Sequence, residues 1–218
     1  MSEKIHPLAR IIAAFARGLS GVQIRWQGCL PEPRQRIYFA NHTSHLDFVV
    51  LWSALPLELR ARTRPVAAKD YWQAGFRSFL AERVFRAVLV ERRAAARAGQ
   101  HEPPHASGFA VIEQLAEAMG ERDSLIFFPE GTRGSGETVA EFKSGLYHLA
   151  KRRPDVELVP AYLENLNRIL PKGEILPVPL VSVLTFGTPV RVEDGEGKHE
   201  FLERARNAVT SLERKGAG

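Results

Sequence analysis

Short apolar runs alternate along the chain with stretches in which apolar residues recur at helical spacing. The runs predict strands at residues 22–26, 37–40, 64–68, 87–90, 124–128, 156–162 and 180–186. The helical spacing predicts helices over 5–19, 46–55, 71–86, 108–119, 139–151 and 198–213. This alternation predicts an α/β fold: a single domain with a mainly parallel mixed sheet flanked by helices, preceded by an N-terminal amphipathic helix.

The predicted N-terminal helix has one broad apolar face. At 100° per residue, Arg10 and Arg17 fall opposite the residues that form that face, which are Ile5, Leu8, Ile11, Ile12, Phe15 and Leu19. The face can pack on the core of its own domain, or it can lie in a bilayer interface. We therefore separate residues 1–25, with a possible membrane contact, from residues 26–218, which form the main domain.

Composition narrows the possible partners. The 218 residues carry a net charge of +5, which suits nucleic acid, an anionic membrane or phosphorylated substrates. No run reaches five or six like charges and no zinc-finger spacing is present, so we expect no nucleic-acid partner. The longest uncharged run, 175–190, is too short and too rich in proline to span a bilayer. We expect a cytoplasmic protein, peripheral at the inner face of a membrane.

The segment NHTSHLD, residues 41–47, holds two histidines and an aspartate directly after a predicted strand. Three interpretations fit it. His42, His45 and Asp47 are all residue types that bind divalent metals, although the other histidines have no ligand-like spacing. Ser44 and Asp47 have the spacing of a capping box before an apolar helix. Asp47 can also orient the His42 imidazole as a general base, if His42 lies in the loop that precedes the helix.

The segment FPEGTR, residues 128–133, follows another predicted strand and opens a glycine-rich loop. Residues 131–138 have the glycine spacing of a nucleotide-binding P-loop, but Glu137 stands where that loop requires lysine. A carboxylate there would repel phosphates, which argues against nucleotide hydrolysis. Arg133 and the backbone amides of such a loop can still bind a phosphate monoester.

In their order and spacing, these segments resemble the glycerophospholipid acyltransferase family, whose best-known members are the 1-acylglycerol-3-phosphate acyltransferases. Residues 41–47 match that family's first motif, and 128–133 match its third letter for letter. Four shorter segments are similar to its second and fourth motifs, to a lysine near the substrate phosphate and to a Phe-Lys-x-Gly segment: Val90-Glu91-Arg92, Val159-Pro160, Lys69 and Phe142-Lys143-Ser144-Gly145. The resemblance implies that residues 26–218 form an acyltransferase domain.

The resemblance implies transfer of a fatty acyl chain from a thioester, acyl-CoA or acyl carrier protein, to the hydroxyl of a lysophospholipid. The expected acceptor is 1-acylglycerol-3-phosphate, which gives phosphatidate. His42 would be the general base and Asp47 its orienting acid. Substrate binding would fall to Lys69, Arg92, Glu130, Gly131, Thr132 and Arg133, with Glu130 either a ligand of the acceptor glycerol or a structural anchor of its loop. No cofactor and no metal is expected.

Two other classes of function remain as alternatives. One is a metal-dependent hydrolase of a phosphoester or thioester that uses His42, His45 and Asp47. The other is a non-catalytic lipid-binding protein, which would have no need of a base. No Gly-x-Ser-x-Gly sequence occurs, so a serine acyl-enzyme is not expected. Because the product of acyl transfer is a two-chain lipid, we expect a peripheral contact with an anionic membrane.

Overall fold

Seven strands form one sheet in the computed structural model, which describes residues 6–44, 46–72, 75–91, 106–166 and 182–213. In chain order they are β1 (Gln23–Trp26), β2 (Arg36–Ala40), β3 (Thr63–Ala68), β4 (Val88–Val90), β5 (Ser124–Phe127), β6 (Glu157–Glu164) and β7 (Val183–Phe186). The order across the sheet is β1-β7-β6-β2-β5-β3-β4, and every neighbouring pair is parallel except β6 and β7. The predicted mainly parallel mixed sheet is confirmed.

Helices cover both faces of this sheet. They are α1 (Pro7–Ser20), α2 (Asp47–Ala54), α3 (Leu57–Ala61), α4 (Lys69–Trp72), α5 (Gly75–Phe79), α6 (Ala106–Met119), α7 (Gly145–Arg152) and α8 (Lys198–Thr210), with a π-helical turn at Leu80–Val84. On the central strand β2, Tyr38 and Ala40 pack in the cluster that includes α1 and α2. Ile37 and Phe39 pack in the cluster that includes α6, α7 and α8. Because successive side chains of a strand point to opposite faces, a strand covered on both sides reads as a continuous apolar run.

Two predicted helices differ in the structure. The single helix predicted over 71–86 is wrong: α4, α5 and the π-helical turn replace it, and Gly75 adopts φ +58°, a left-handed backbone that interrupts a helix. The helix predicted over 139–151 begins only at Gly145. The backbone N–H groups of Ala140 and Lys143 are held by Glu130 and by the Pro129 carbonyl, so these residues are tied to the preceding loop. The loop predicted around residues 97–107 and the irregular segment predicted at 163–179 lie largely outside the described residues.

The helix α1 packs through a stripe of alanines, with Leu8 and Ile12 partly buried beside them. Ala9, Ala13 and Ala16 are buried against the domain, whereas Ile11 and Phe15 are 65% and 68% exposed. The predicted boundary at residue 25 falls inside β1. Among the residues that the structure describes, no helix is both long and apolar enough to cross a membrane.

Candidate active site

The sequence motifs meet at one edge of the sheet. His42 follows β2, Lys69 follows β3, Glu91 follows β4 and Glu130 follows β5, and these four strands are parallel neighbours. The carboxyl ends of parallel strands lie at the same edge, which is where open α/β sheets bind their ligands. The motifs are therefore brought together by strand direction and not by closeness in sequence.

His42 and Asp47 form a hydrogen-bonded pair. His42 Nδ1 lies 2.8 Å from Asp47 Oδ2. The same oxygen accepts the backbone N–H groups of Thr43 at 2.6 Å and Ser44 at 2.8 Å, and the Asp47 side chain is fully buried. An ionised carboxylate can only accept hydrogen bonds, so this contact assigns the proton to Nδ1 and, in the neutral imidazole, leaves the lone pair on Nε2. The imidazole is 19% exposed, which leaves that nitrogen within reach of a ligand.

The loop before α2 produces this pairing. Asp47 is the first residue of the helix, and the chain turns so that Thr43 and Ser44 direct their N–H groups at its carboxylate. The Ser44 N–H is therefore bonded to the Asp47 carboxylate, as one half of a capping box would be. The capping box suggested by the spacing is incomplete, because Leu46 and not Ser44 occupies the N-cap position, and the Ser44 hydroxyl accepts the N–H of Leu46.

Two neighbours fix the position of His42. The Phe128 ring stacks on the imidazole at 4.3 Å between centroids and an angle of 22°. The buried amide of Asn41 donates to the Leu163 carbonyl and accepts the Leu163 N–H, at 3.0 and 2.8 Å. Asn41 thus extends the β2–β6 pairing by one residue and holds the backbone that leads into His42. The sequence motif contains Asn41, but the sequence alone assigned it no role.

Glu130 links the two main motifs. One carboxylate oxygen accepts the backbone N–H of His42 at 2.7 Å, and the other accepts that of Ala140 at 3.0 Å. Glu130 is buried, and burial raises the pKa of its carboxyl while the two N–H donors and His42 act to lower it. Of the two predicted roles for Glu130, this geometry favours the structural anchor.

A Glu130→Gln substitution separates these roles. An amide offers only one oxygen, so either the His42 or the Ala140 N–H loses its acceptor. We expect the free energy of unfolding to fall by about 1–3 kcal/mol. Thermal and denaturant unfolding would measure this, with Glu137→Gln on the exposed part of the same loop as the control. Unchanged stability together with a raised acceptor KM would instead indicate a substrate ligand.

The loop after β5 brings cations beside His42. The Gly134 N–H donates to the His42 carbonyl at 2.8 Å, so Arg133 is one residue from a direct contact with the histidine backbone. Arg133 and Thr132 are exposed, and Arg133 makes no hydrogen bond or ion pair with any other described residue. Gly131 has φ +70°, and a Cβ there would lie 2.8 Å from Lys143 Nζ. Lys143 therefore lies over the turn. The sequence had indicated Lys143 only as part of a segment similar to the family's Phe-Lys-x-Gly segment.

Lys69 and Glu91 form a partly exposed ion pair at the same edge, with Lys69 Nζ 3.1 Å from the Glu91 carboxylate.

The predicted binding residue Arg92 and the alternative metal ligand His45 lie outside the described residues. Within the described ranges, no group of three or more His, Cys, Asp or Glu side chains has a metal-binding arrangement. The Asp47 oxygen that faces His42 already accepts three hydrogen bonds, and this favours the base-and-orienter interpretation of the pair.

Comparison with protein families matches residues 22–164 to the acyltransferase family model. The chain belongs to the acyltransferase family. The matched range begins at the turn before β1 and ends with β6, so it contains every described residue of the candidate site. The family resemblance carried by the two sequence motifs is confirmed.

Several curated relatives and one solved structure are similar to this acyltransferase-family chain. It is 25% identical to the mouse 1-acyl-sn-glycerol-3-phosphate acyltransferase alpha over 77% of this chain and 54% of that protein. It is 29% identical to the 1-acyl-sn-glycerol-3-phosphate acyltransferase of Limnanthes alba over 84% of this chain and 60% of that protein. It thus spans between one half and two thirds of the length of these relatives. The crystal structure of the 1-acyl-sn-glycerophosphate acyltransferase PlsC from Thermotoga maritima shares the fold, with a TM-score of 0.67 and 20% identity over 94% of this chain and 78% of that one.

Proposed function

We propose that this protein transfers an acyl chain from a thioester to the hydroxyl of a lysophospholipid, with 1-acylglycerol-3-phosphate as the acceptor. The observation that carries the proposal is the His42–Asp47 pair, held 2.8 Å apart beside the loop that presents Arg133. The curated relatives are named for transfer to this acceptor, which supports the same substrate class here. Acyl-CoA and acyl carrier protein are both suitable thioester donors.

In the proposed reaction His42 Nε2 takes the proton of the acceptor hydroxyl. The hydroxyl oxygen then bonds to the thioester carbonyl carbon, the C–S bond breaks, and the departing thiolate takes the proton back from His42. Asp47 stabilises the imidazolium that exists between these steps and keeps Nε2 directed at the substrate. The proton and the acyl group are both accounted for, and no cofactor is required.

The acceptor phosphate is proposed to bind the exposed cations of the same edge. Arg133 has no partner among the described residues, so its guanidinium is available for a bidentate contact with phosphate. Lys69 can add a second charge by exchanging its exposed contact with Glu91 for the ligand. Holding the phosphate at Arg133 fixes the acceptor hydroxyl near His42 and lowers the entropic cost of the reaction.

A covalent acyl-enzyme on Cys29 is a poor alternative. Burial raises the pKa of the Cys29 thiol, although the charge of Arg36 opposes that shift. Arg36 is the first residue of β2, whereas His42 lies beyond the other end of that strand. The thiol is therefore both weakly ionised and distant from the proposed base, and direct transfer is favoured.

The proposal is tested by offering labelled acyl-CoA and acyl carrier protein thioesters with a panel of lysophospholipids and glycerol 3-phosphate. We expect a two-chain phospholipid product, and we expect its formation to be insensitive to EDTA. Loss of all activity with EDTA would favour the metal-dependent hydrolase. Binding of lysophospholipid without any product would favour a non-catalytic lipid-binding protein.

We also propose that the exposed apolar residues of α1 contact an anionic membrane. Ile11 and Phe15 project away from the buried alanine stripe, and Arg10 and Arg17 are exposed on the same helix. Leu8 and Ile12 of this helix are partly buried against the core, but a helix that served only to pack on its domain would not leave Ile11 and Phe15 largely exposed. Phe76 and Phe79, stacked with 6.2 Å between ring centroids, give a further exposed apolar contact.

We expect the protein to bind anionic vesicles reversibly and to be released by salt. The double substitution Ile11→Ser with Phe15→Ser should reduce the bound fraction at least fivefold in co-sedimentation, because it removes the apolar contact and leaves the arginines in place. Deleting the helix is a poorer test, since Ala9 and Ala13 belong to the core. Phe109→Ser on α6 is the matched control, because that ring is 66% exposed. Equal binding by all three proteins would exclude α1 as the contact.

A further inference from the structure

A cavity of about 740 Å³ lies at the edge of the sheet opposite to His42. Its wall includes Thr63, the first residue of β3, whereas Lys69 follows the last residue of that strand. Six residues of extended chain span roughly 20 Å, so the cavity is separate from the candidate active site. Its volume is in the range of small-molecule binding sites.

The cavity contains a buried arginine that forms no ion pair with any carboxylate in the described ranges. Arg60 is 8% exposed and donates to the Ser53 and Leu55 carbonyls at the end of α2. Its Nε has no hydrogen-bond partner in the described part of the chain, and no described carboxylate forms an ion pair with it. Its guanidinium carbon lies 5.3 Å from the centre of the Trp52 ring. Buried guanidinium groups are costly unless they are paired, which makes an anionic ligand the natural complement.

Other charges on the wall increase the positive potential. Arg83 lines the cavity, is exposed and has no ion pair with a described residue. Arg86 also lines the cavity, but Asp123 compensates its charge at 3.0 Å. Arg60 and Arg83 are therefore the cavity-lining arginines that have no ion pair with a described residue, and a guanidinium can bind a phosphate through two parallel hydrogen bonds.

The rest of the wall is apolar and continues onto the surface. Val84 and Phe85 line the cavity together with Phe79, whose ring is 40% exposed. The Phe79 ring meets His6 edge-on at 5.8 Å and stacks on the exposed Phe76. A ligand with an anionic head and an apolar tail fits this combination better than a free phosphate, which would leave the aromatic exit unused.

We propose that this cavity binds the phosphate of an anionic phospholipid, with Arg60 and Arg83 on the headgroup and with the acyl chains against Phe79 and Phe76. Such a site would hold the protein at a bilayer that contains phosphatidate or a related lipid. It is independent of the catalysis proposed at His42, because it uses other residues at the other edge of the sheet.

The test is calorimetric titration of the full chain carrying Arg133→Ala, which lacks the arginine proposed to bind phosphate at the candidate active site. The ligands are dihexanoyl phosphatidate, glycerol 3-phosphate, inorganic phosphate and dihexanoylglycerol. We expect dihexanoyl phosphatidate to bind at least tenfold more tightly than the other three. Equal affinity for glycerol 3-phosphate or inorganic phosphate would overturn the lipid assignment, and equal affinity for dihexanoylglycerol would overturn the anion site.

Charge variants then locate the binding. Arg83→Gln should weaken the affinity for dihexanoyl phosphatidate at least fivefold, because it removes one of the two uncompensated charges. Arg62→Gln is the matched control, since Arg62 is exposed nearby but does not line the cavity. Arg83 is preferred to Arg60 for this purpose because Arg60 also binds the carbonyls at the end of α2. If the two variants weaken binding equally, or neither does, the cavity is not the site.

Discussion

Replacing His42 with alanine is expected to lower the turnover number for acyl transfer by at least a hundredfold while the protein stays folded. General-base assistance is typically worth about 10²–10⁴ in rate. The substitution leaves Asp47 with two backbone donors, those of Thr43 and Ser44, so the loop keeps its main contacts. The measurements are steady-state turnover and the midpoint of thermal unfolding. His148→Ala, on the exposed face of α7, controls for the loss of an imidazole elsewhere.

Asp47→Asn should cost less than His42→Ala. An asparagine oxygen at the same position can still accept from Thr43, Ser44 and His42, and its amide would replace the carboxylate oxygen that has no partner in the described part of the chain. What is lost is the negative charge that stabilises the imidazolium.

If the His42→Ala protein retains more than a tenth of the wild-type turnover, His42 is not the general base.

Replacing Arg133 with alanine is expected to raise the KM for the acceptor at least tenfold, to lower turnover and to change the KM for the thioester far less. The guanidinium is exposed beside His42 and has no other partner among the described residues, so its loss should leave the fold intact. A charge-assisted contact with phosphate both binds the acceptor and orients its hydroxyl. Initial rates with each substrate varied separately would resolve the two KM values.

The control for this variant is Arg122→Ala. Arg122 is also exposed, but it precedes β5 and so lies at the far end of the strand that leads to Arg133. Because of this remote position, Arg122→Ala should leave both KM values unchanged. It is a matched control because each variant removes one positive charge. An unchanged acceptor KM in Arg133→Ala, with only the thioester KM affected, would reassign Arg133 to the donor.

The sequence alone was sufficient for most strands of the sheet and for the contact between His42 and Asp47. Local apolar runs identified the strands, because a short run such as Ile37–Ala40, bounded by turn residues, is typical of a strand that is covered on both faces. The pairing of His42 with Asp47 also followed from the chain, since a loop before a helix start lets residues five apart meet. Both inferences rest on interactions between residues that are close in sequence.

Tertiary structure decided the role of Glu130 and the start of α7. Glu130 binds the N–H of a residue 88 positions earlier, and its other oxygen holds Ala140 out of the predicted helix. Neither contact leaves a periodic signal in the sequence. The same is true of Asn41, whose amide pairs with Leu163 across 122 positions.

Tertiary structure also decided which face of each helix is covered. The sequence places Ile11 and Phe15 on the apolar face of α1. Only the fold shows that the alanines of this helix are buried and that these two residues are exposed. In the same way, only the fold shows that Arg60 is buried in the wall of a cavity at the end of α2. Local patterns in a sequence specify backbone preference and apolar periodicity. Which surfaces stay exposed depends on how segments far apart in the chain pack together, and no local pattern in a single sequence records that packing.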